Sequence, residues 1–320
     1  MIFSPGIYEH AAALIQRTPW EVSRSGALLA EAHRVAWECY HHPLIVAGID
    51  VYNLEPEAYG AVVSEPSGVN IPSISRHPCK EVEDLLQLSP FDPANCPRIR
   101  DTLDAGKALT ASCPDAQVHI PMCGPFALGI GLLGMNELLM AVVEDPEELK
   151  AALGHLLAGQ KAFLEAIYQS GLKPIIFESG TTPPLLPVEA FQSIEAPLLK
   201  ELFDHARSLS GQAPACVIGG DAAQIAKAFL EAGPGWVIAP SETDQTAFLE
   251  TARAFPDVHV RVNMSATQLL DPSIEKTTSE AERCRSLALT RPNTSVGCGV
   301  VPYETDPDTL LTVKSIIENH

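Results

Sequence analysis

LKPIIFESGTTPPLLPVEAFQSIEAPLLKELFDHARSLSGQAPACVIGGD, residues 172–221, decides how this chain is read. It opens on a short apolar run at 174–177, passes through an amphipathic stretch at 188–209, and returns to a second apolar run at 215–218. Short runs rich in β-branched residues suit buried strands, and the helix-period stretch between them is long enough for a crossover, so the unit reads as strand, helix, parallel strand. The unit repeats downstream. Further strands are expected at 236–239, 258–262 and 294–296, with helices at 222–232, 243–254, 279–289 and 308–318. Upstream, 44–51 and 118–122 read as two more strands, and Pro146-Glu147-Glu148 opens a helix behind an Asp145 cap. That makes seven strands, with no clear eighth. Residues 61–100 carry Pro66, Pro72, Pro78, Pro90, Pro93 and Pro97 and read as an irregular excursion holding at most a short hairpin. The expectation is an α/β fold: a single (β/α)8 TIM-type barrel over 1–320, with a helical extension at 1–43 and a decorated first half.

Composition narrows the function. The chain has 21 basic and 40 acidic side chains, a net charge of −19, which repels phosphate backbones and anionic lipid. Neither nucleic acid nor a membrane surface is an expected partner. With 46% hydrophobic and 19% charged residues it can bury a large core. The apolar stretch 126–143 is interrupted by Asn136 and Glu137 and suits a packed helix better than a bilayer span, and MIFSPGIYEH lacks the pattern of a secretory signal. A cytoplasmic protein is expected. Eight cysteines, at 39, 79, 96, 113, 123, 216, 284 and 298, form no CxxC, so most should be reduced and buried.

In such barrels chemistry gathers where strands end and helices begin. The strand ends are Asp50 with Tyr52 and Asn53, Cys123-Gly124-Pro125, Glu178-Ser179-Gly180, Gly219-Gly220-Asp221, Pro240-Ser241-Glu242, Asn263-Met264 and Cys298-Gly299.

MCGPFALGIGLLGMNELLMAVVEDPEELKAAL at 122–153 resembles the uroporphyrinogen decarboxylase superfamily, with its GPF-like turn, Leu-x-Gly step and DPE helix start. IIFESGTTPPLLPVEAF at 175–191 matches the family's strand, acidic residue and Pro-x-x-Phe helix opening. CVIGGD at 216–221 is similar to the His-x-Cys-Gly-Asn segment of the zinc-dependent corrinoid methyltransferase branch. VNMSATQLL at 262–270 and SVGCGVVPYETDPDTL at 295–310 complete a resemblance over roughly 44–318.

The resemblance implies one of two chemistries. The decarboxylase binds a polycarboxylate tetrapyrrole with an arginine-rich N-terminal segment and a central aspartate; here that segment holds only Arg17, Arg24 and Arg34, and Asp50 lies close to the aspartate's place. The methyltransferase branch uses zinc to activate a thiol that takes a methyl group from a corrinoid. On that reading Cys298, between two glycines, and Cys216 are metal ligands with Glu242 as a third, although Ile218 stands where the motif has its own cysteine. Asp50 and Glu178 are then the catalytic candidates, and Gly219 and Asn263 the cofactor-binding ones. The implied cofactors are zinc and a corrinoid such as methylcobalamin; the implied partners are a corrinoid carrier protein and a small thiol or tetrahydrofolate-like acceptor. Three readings stay open: a corrinoid methyltransferase, a carboxy-lyase resembling uroporphyrinogen decarboxylase, and a non-catalytic barrel that binds a corrinoid or tetrapyrrole.

Overall fold

The computed structural model describes residues 1–271 and 273–319. Its strands are β1 Leu44–Val46, β2 Val62–Ser64, β3 Ser73–Arg76, β4 Gln117–Cys123, β5 Lys173–Glu178, β6 Ala215–Ile218, β7 Trp236–Ala239, β8 His259–Met264 and β9 Thr294–Cys298. β2 and β3 pair as the antiparallel hairpin of the Pro-rich excursion. The other seven form one parallel sheet in the order β1-β4-β5-β6-β7-β8-β9, each joined to the next through helical crossovers, and the sheet curls in the manner of a TIM-type barrel.

Strand alternation sorts the core into two layers. Val46, Ile175, Phe177 and Ala215 turn inward and pack with Tyr8, Val51, Tyr52, Val217 and Trp236 inside the curl. The residues between them, among them Ile45, Ile176, Cys216, Val237, Val262 and Cys298, belong to the layer under the helices. Because both faces are covered, these strands read as apolar runs rather than as a polar and apolar alternation.

Where an eighth strand would lie, the extreme N-terminus runs beside β9. Parallel bridges join Phe3 to Val296 and Gly6 to Val300. Ser4 donates to Val296 O at 2.8 Å and Val301 donates to Gly6 O at 2.8 Å. Each such bond contributes about 1 kcal/mol, and buried Phe3 adds about 2 kcal/mol. The expected helical extension therefore begins as an edge strand, followed by helices Glu9–Leu14, Pro19–Ser23 and Gly26–Tyr40.

The apolar stretch at 126–143 is two helices, Pro125–Leu133 and Met135–Glu144, bent by 115° about Gly134, whose φ of 104° is open to glycine but strained for other residues. Among the described residues no single helix is long and apolar enough to cross a membrane. Helix Pro146–Gln169 starts as expected, with the Asp145 side chain accepting from Glu148 N. Helix 188–209 is interrupted: a π-helical turn at Phe191–Glu195 precedes helix Ala196–Ser210 and rotates Glu195 into the core.

Candidate active site at the carboxyl end of the barrel

After β1 the chain turns at Gly48 and delivers Asp50 to a buried polar knot. Arg98, from helix Pro97–Ser112, is ion-paired with one Asp50 oxygen, and Asn53 Nδ2 donates to the other at 2.8 Å. Arg98 also reaches Glu57 at 2.8 Å, and Glu57 accepts from Arg24 at 2.6 Å. Two cations and two carboxylates thus tie the N-terminal extension to the barrel rim. Burial pushes the Asp50 carboxyl above its ordinary range while Arg98 and Asn53 pull it back. Asp50 has both oxygens engaged, so the structure gives it a tethering place rather than a free carboxylate.

Glu178, the last residue of β5, faces the helix layer. Its two oxygens accept from Phe126 N at 3.1 Å and Ala127 N at 3.0 Å, the free amides at the start of helix Pro125–Leu133. This explains the GPF turn: a Cβ on Gly124 would overlap the Glu178 carboxyl, Pro125 suits the first helical position, and Phe126 supplies a donor. Glu195 comes up beside Glu178. Burial raises both, Glu178 well above the usual carboxylate range and Glu195 to about 7, and the proximity of Glu195 raises Glu178 further. Both Glu195 oxygens are buried without a hydrogen-bond partner, and Glu178 serves the packing of strand on helix.

The expected metal ligands do not converge. Cys216 sits in the middle of β6, fully buried on the helix side, where Glu178 and Glu195 add to the burial that raises its thiol well above the ordinary value. Cys298 closes β9 on the same outer face near Cys284, and burial pushes it up to about 11. Glu242 is exposed on the loop after β7. A zinc ligand needs a deprotonated thiol and a common centre. Among the described residues no group of three or more His, Cys, Asp and Glu side chains is placed to hold a metal ion. Cys216, Glu242 and Cys298 do not fit a zinc site, because strand parity turns both thiols away from the mouth on which Glu242 lies. In the Pro-rich excursion His77 Nδ1 meets Gly131 O at 2.9 Å and Cys79 is buried.

Gly219 and Asn263 do lie at the carboxyl end. A Cβ on Gly219 or on Gly299 would meet nothing within 4 Å, so the ends of β6 and β9 border open space. Asn263 points into the barrel and accepts from Arg261 Nε at 2.8 Å. Arg261 is only 4% exposed, donates to Ser4 O at 3.0 Å and lies 5.0 Å from the centre of the Trp236 ring. Sequence reasoning passed over it, although an arginine between Val260 and Val262 is a visible polar interruption of a buried strand. The apolar rim was missed as well. Leu185, Leu270, Ile274 and Val300, on the connections after β5, β8 and β9, are each more than 40% exposed.

A search of curated proteins finds no significant match to this sequence. Among solved structures the chain is similar to a methyltransferase from Methanosarcina mazei, with 17% identity, a TM-score of 0.80 and coverage of 99% of this chain and 93% of that one. It is also similar to a chain assigned as a vitamin-B12-independent methionine synthase from Listeria monocytogenes, at 12% identity and TM-score 0.54, covering 99% and 96%. At such identities the likeness establishes the fold. Residues 7–320 match the model of uroporphyrinogen decarboxylase (URO-D), and on that match over nearly its whole length the chain belongs to the URO-D family.

Proposed function

We propose that this barrel moves a methyl group between a corrinoid, free as methylcobalamin or held by a carrier protein, and a small acceptor such as a thiol or a tetrahydrofolate-like amine. The carrying observation is the make-up of the loops at the carboxyl end: Gly219 and Gly299 border open space, and Leu185, Leu270, Ile274 and Val300, on the connections after β5, β8 and β9, are exposed. Exposed apolar side chains at this end suit the broad, largely apolar face of a macrocycle. The carboxy-lyase reading has less support, since Arg17, Arg24 and Arg34 are each engaged by a glutamate, Glu21, Glu57 and Glu38 respectively, and Asp50 is locked to Arg98. The fold likeness to a methyltransferase points the same way.

A bound methylcorrinoid would supply a methyl carbon on cobalt: the acceptor's lone pair would form the new bond to it as the cobalt–carbon bond breaks with its electron pair left on cobalt, and the acceptor's proton would pass to solvent. The chain's own part is to hold the acceptor in line beneath the corrinoid and keep water out. Zinc is given no step, because the residues expected to hold it do not fit. That misfit favours a second reading, a barrel that binds the corrinoid without turning it over.

Incubation with methylcobalamin and a panel of thiols and tetrahydrofolate, followed by absorbance of the methyl–cobalt bond, separates the readings. Saturable demethylation supports methyl transfer. A spectral shift on binding without demethylation supports the second reading, and neither response would defeat both.

A further inference from the structure

A large cavity lies at the other end of the barrel. It has a volume of about 1120 Å³ and is bordered by the first residues of β1, β4, β5, β6, β7 and β8. This amino end is ordinarily packed shut for stability. Here the inward positions of the lowest layer leave it open: Ala215 is small, and Lys173 extends its ammonium towards solvent from the start of β5.

Three features face this space. Trp236 is flanked on the β8 side by His259, whose ring stacks on it at 6.3 Å and 5°. On the β6 side its register partner is the small Ala215, and the Arg261 guanidinium lies over the ring at 5.0 Å from its centre. His119 is 6% exposed; its Nδ1 lies 3.2 Å from Pro174 O, which requires the proton on Nδ1 and leaves Nε2 as an acceptor. Nε2 is buried with no hydrogen-bond partner, the kind of orphan that a bound group satisfies. Lys173 meets only the Gln117 amide oxygen, at 3.3 Å, and no carboxylate among the described residues, in a chain of net charge −19. Arg207 adds a second cation to the rim, already shared with Asp204.

We propose that this cavity is a second binding site, separate from the carboxyl-end mouth, for a planar aromatic molecule carrying a carboxylate or phosphate group. The ring packs against the part of Trp236 that borders the cavity on its Ala215 side, a ring N–H or hydroxyl donates to His119 Nε2, and the anion lies beside Lys173.

Isothermal titration calorimetry of the intact protein tests it with three probes: FMN as the phosphate, naphthalene-2-carboxylate as the carboxylate, and riboflavin as the FMN ring without its charge. One-to-one binding is expected for at least one of the anions, with FMN tighter than riboflavin if phosphate is the group recognised. Lys173→Glu, at an exposed position, should weaken the anion roughly fivefold. His119→Leu should weaken it by a similar factor, and Trp236→Ala should weaken it about tenfold or more. Melting curves confirm that each variant is folded, and Lys173→Glu alone suffices if the buried variants are not. Absence of saturable binding of every probe at about 1 mM, or unchanged affinity of a bound anion in Lys173→Glu, overturns the proposal.

Discussion

Gly124→Ala tests the account of how strand β5 is locked to the helix layer. The new methyl would occupy the place of the Glu178 carboxyl, which is fully buried and held by Phe126 N and Ala127 N at 3.1 and 3.0 Å. Gly124 cannot withdraw, because its own N–H donates to Phe177 O at 2.8 Å. Forcing a methyl into a filled site costs about 1–3 kcal/mol. Displacing Glu178 adds the loss of two hydrogen bonds at about 1 kcal/mol each and strands two helix-start amides, for a total of about 3–5 kcal/mol. Set against a typical domain stability of about 5–15 kcal/mol, the variant should fold but unfold at markedly lower urea. Glu178→Ala removes the obstruction, so the double variant should lose about 2 kcal/mol less than the sum of the single ones. Urea titration followed by circular dichroism measures all three. A Gly124→Ala protein within about 1 kcal/mol of wild type, or strict additivity in the cycle, would refute the reasoning.

The buried ionisable groups predict a pH profile. His33, His42 and His119 are held by burial at about 4, 3 and 4, so they add stability as pH rises towards their ordinary 6.5 and change nothing above it. Burial lifts Glu55 to about 8 and Glu195 to about 7, so their contribution is present at low pH and lost as pH rises through those values. Between pH 6.5 and 8 the raised carboxyls act, with Glu9 at about 7 beside Glu55 and Glu195: stability should fall across that window in urea titrations, and Glu55→Gln should flatten the fall, whereas an unchanged slope would contradict the assignment. Cys39 and Cys96 are the partly exposed thiols, so an aromatic disulfide reagent should label two of the eight cysteines quickly and the rest only on unfolding. Rapid labelling of Cys216 or Cys298, located by mass spectrometry, or a loss of bound zinc in Cys298→Ser, would show that the thiols reach the mouth after all.

The parallel sheet was legible because its signal is local. A strand covered on both faces is predominantly apolar, so 215–218 and 236–239 coincide with β6 and β7. The first strand is shorter than its apolar run, 44–51, because the chain turns at Gly48 against Pro121. The GPF turn and the acid of β5 were also visible as a pattern, but not as partners: what joins Gly124 to Glu178 is contact between neighbouring strands separated by a long helix.

Tertiary structure alone decided the rest. Nothing near Phe3 announces that it will pair with Val296, since an edge strand is chosen by whatever edge is left unpaired. An all-apolar strand hides which of its residues face inward, because period-two alternation is invisible when both faces are greasy; hence Cys216 and Cys298 looked available and are turned to the helices. The same parity puts Arg261 and Asn263 inside and opens the amino-end cavity beneath Trp236. The sequence by itself determined the order of strands and helices, through hydrophobic periodicity that acts over a few residues. Which side chains meet depends on the curl and register of the sheet, which arise from contacts between residues far apart along the chain.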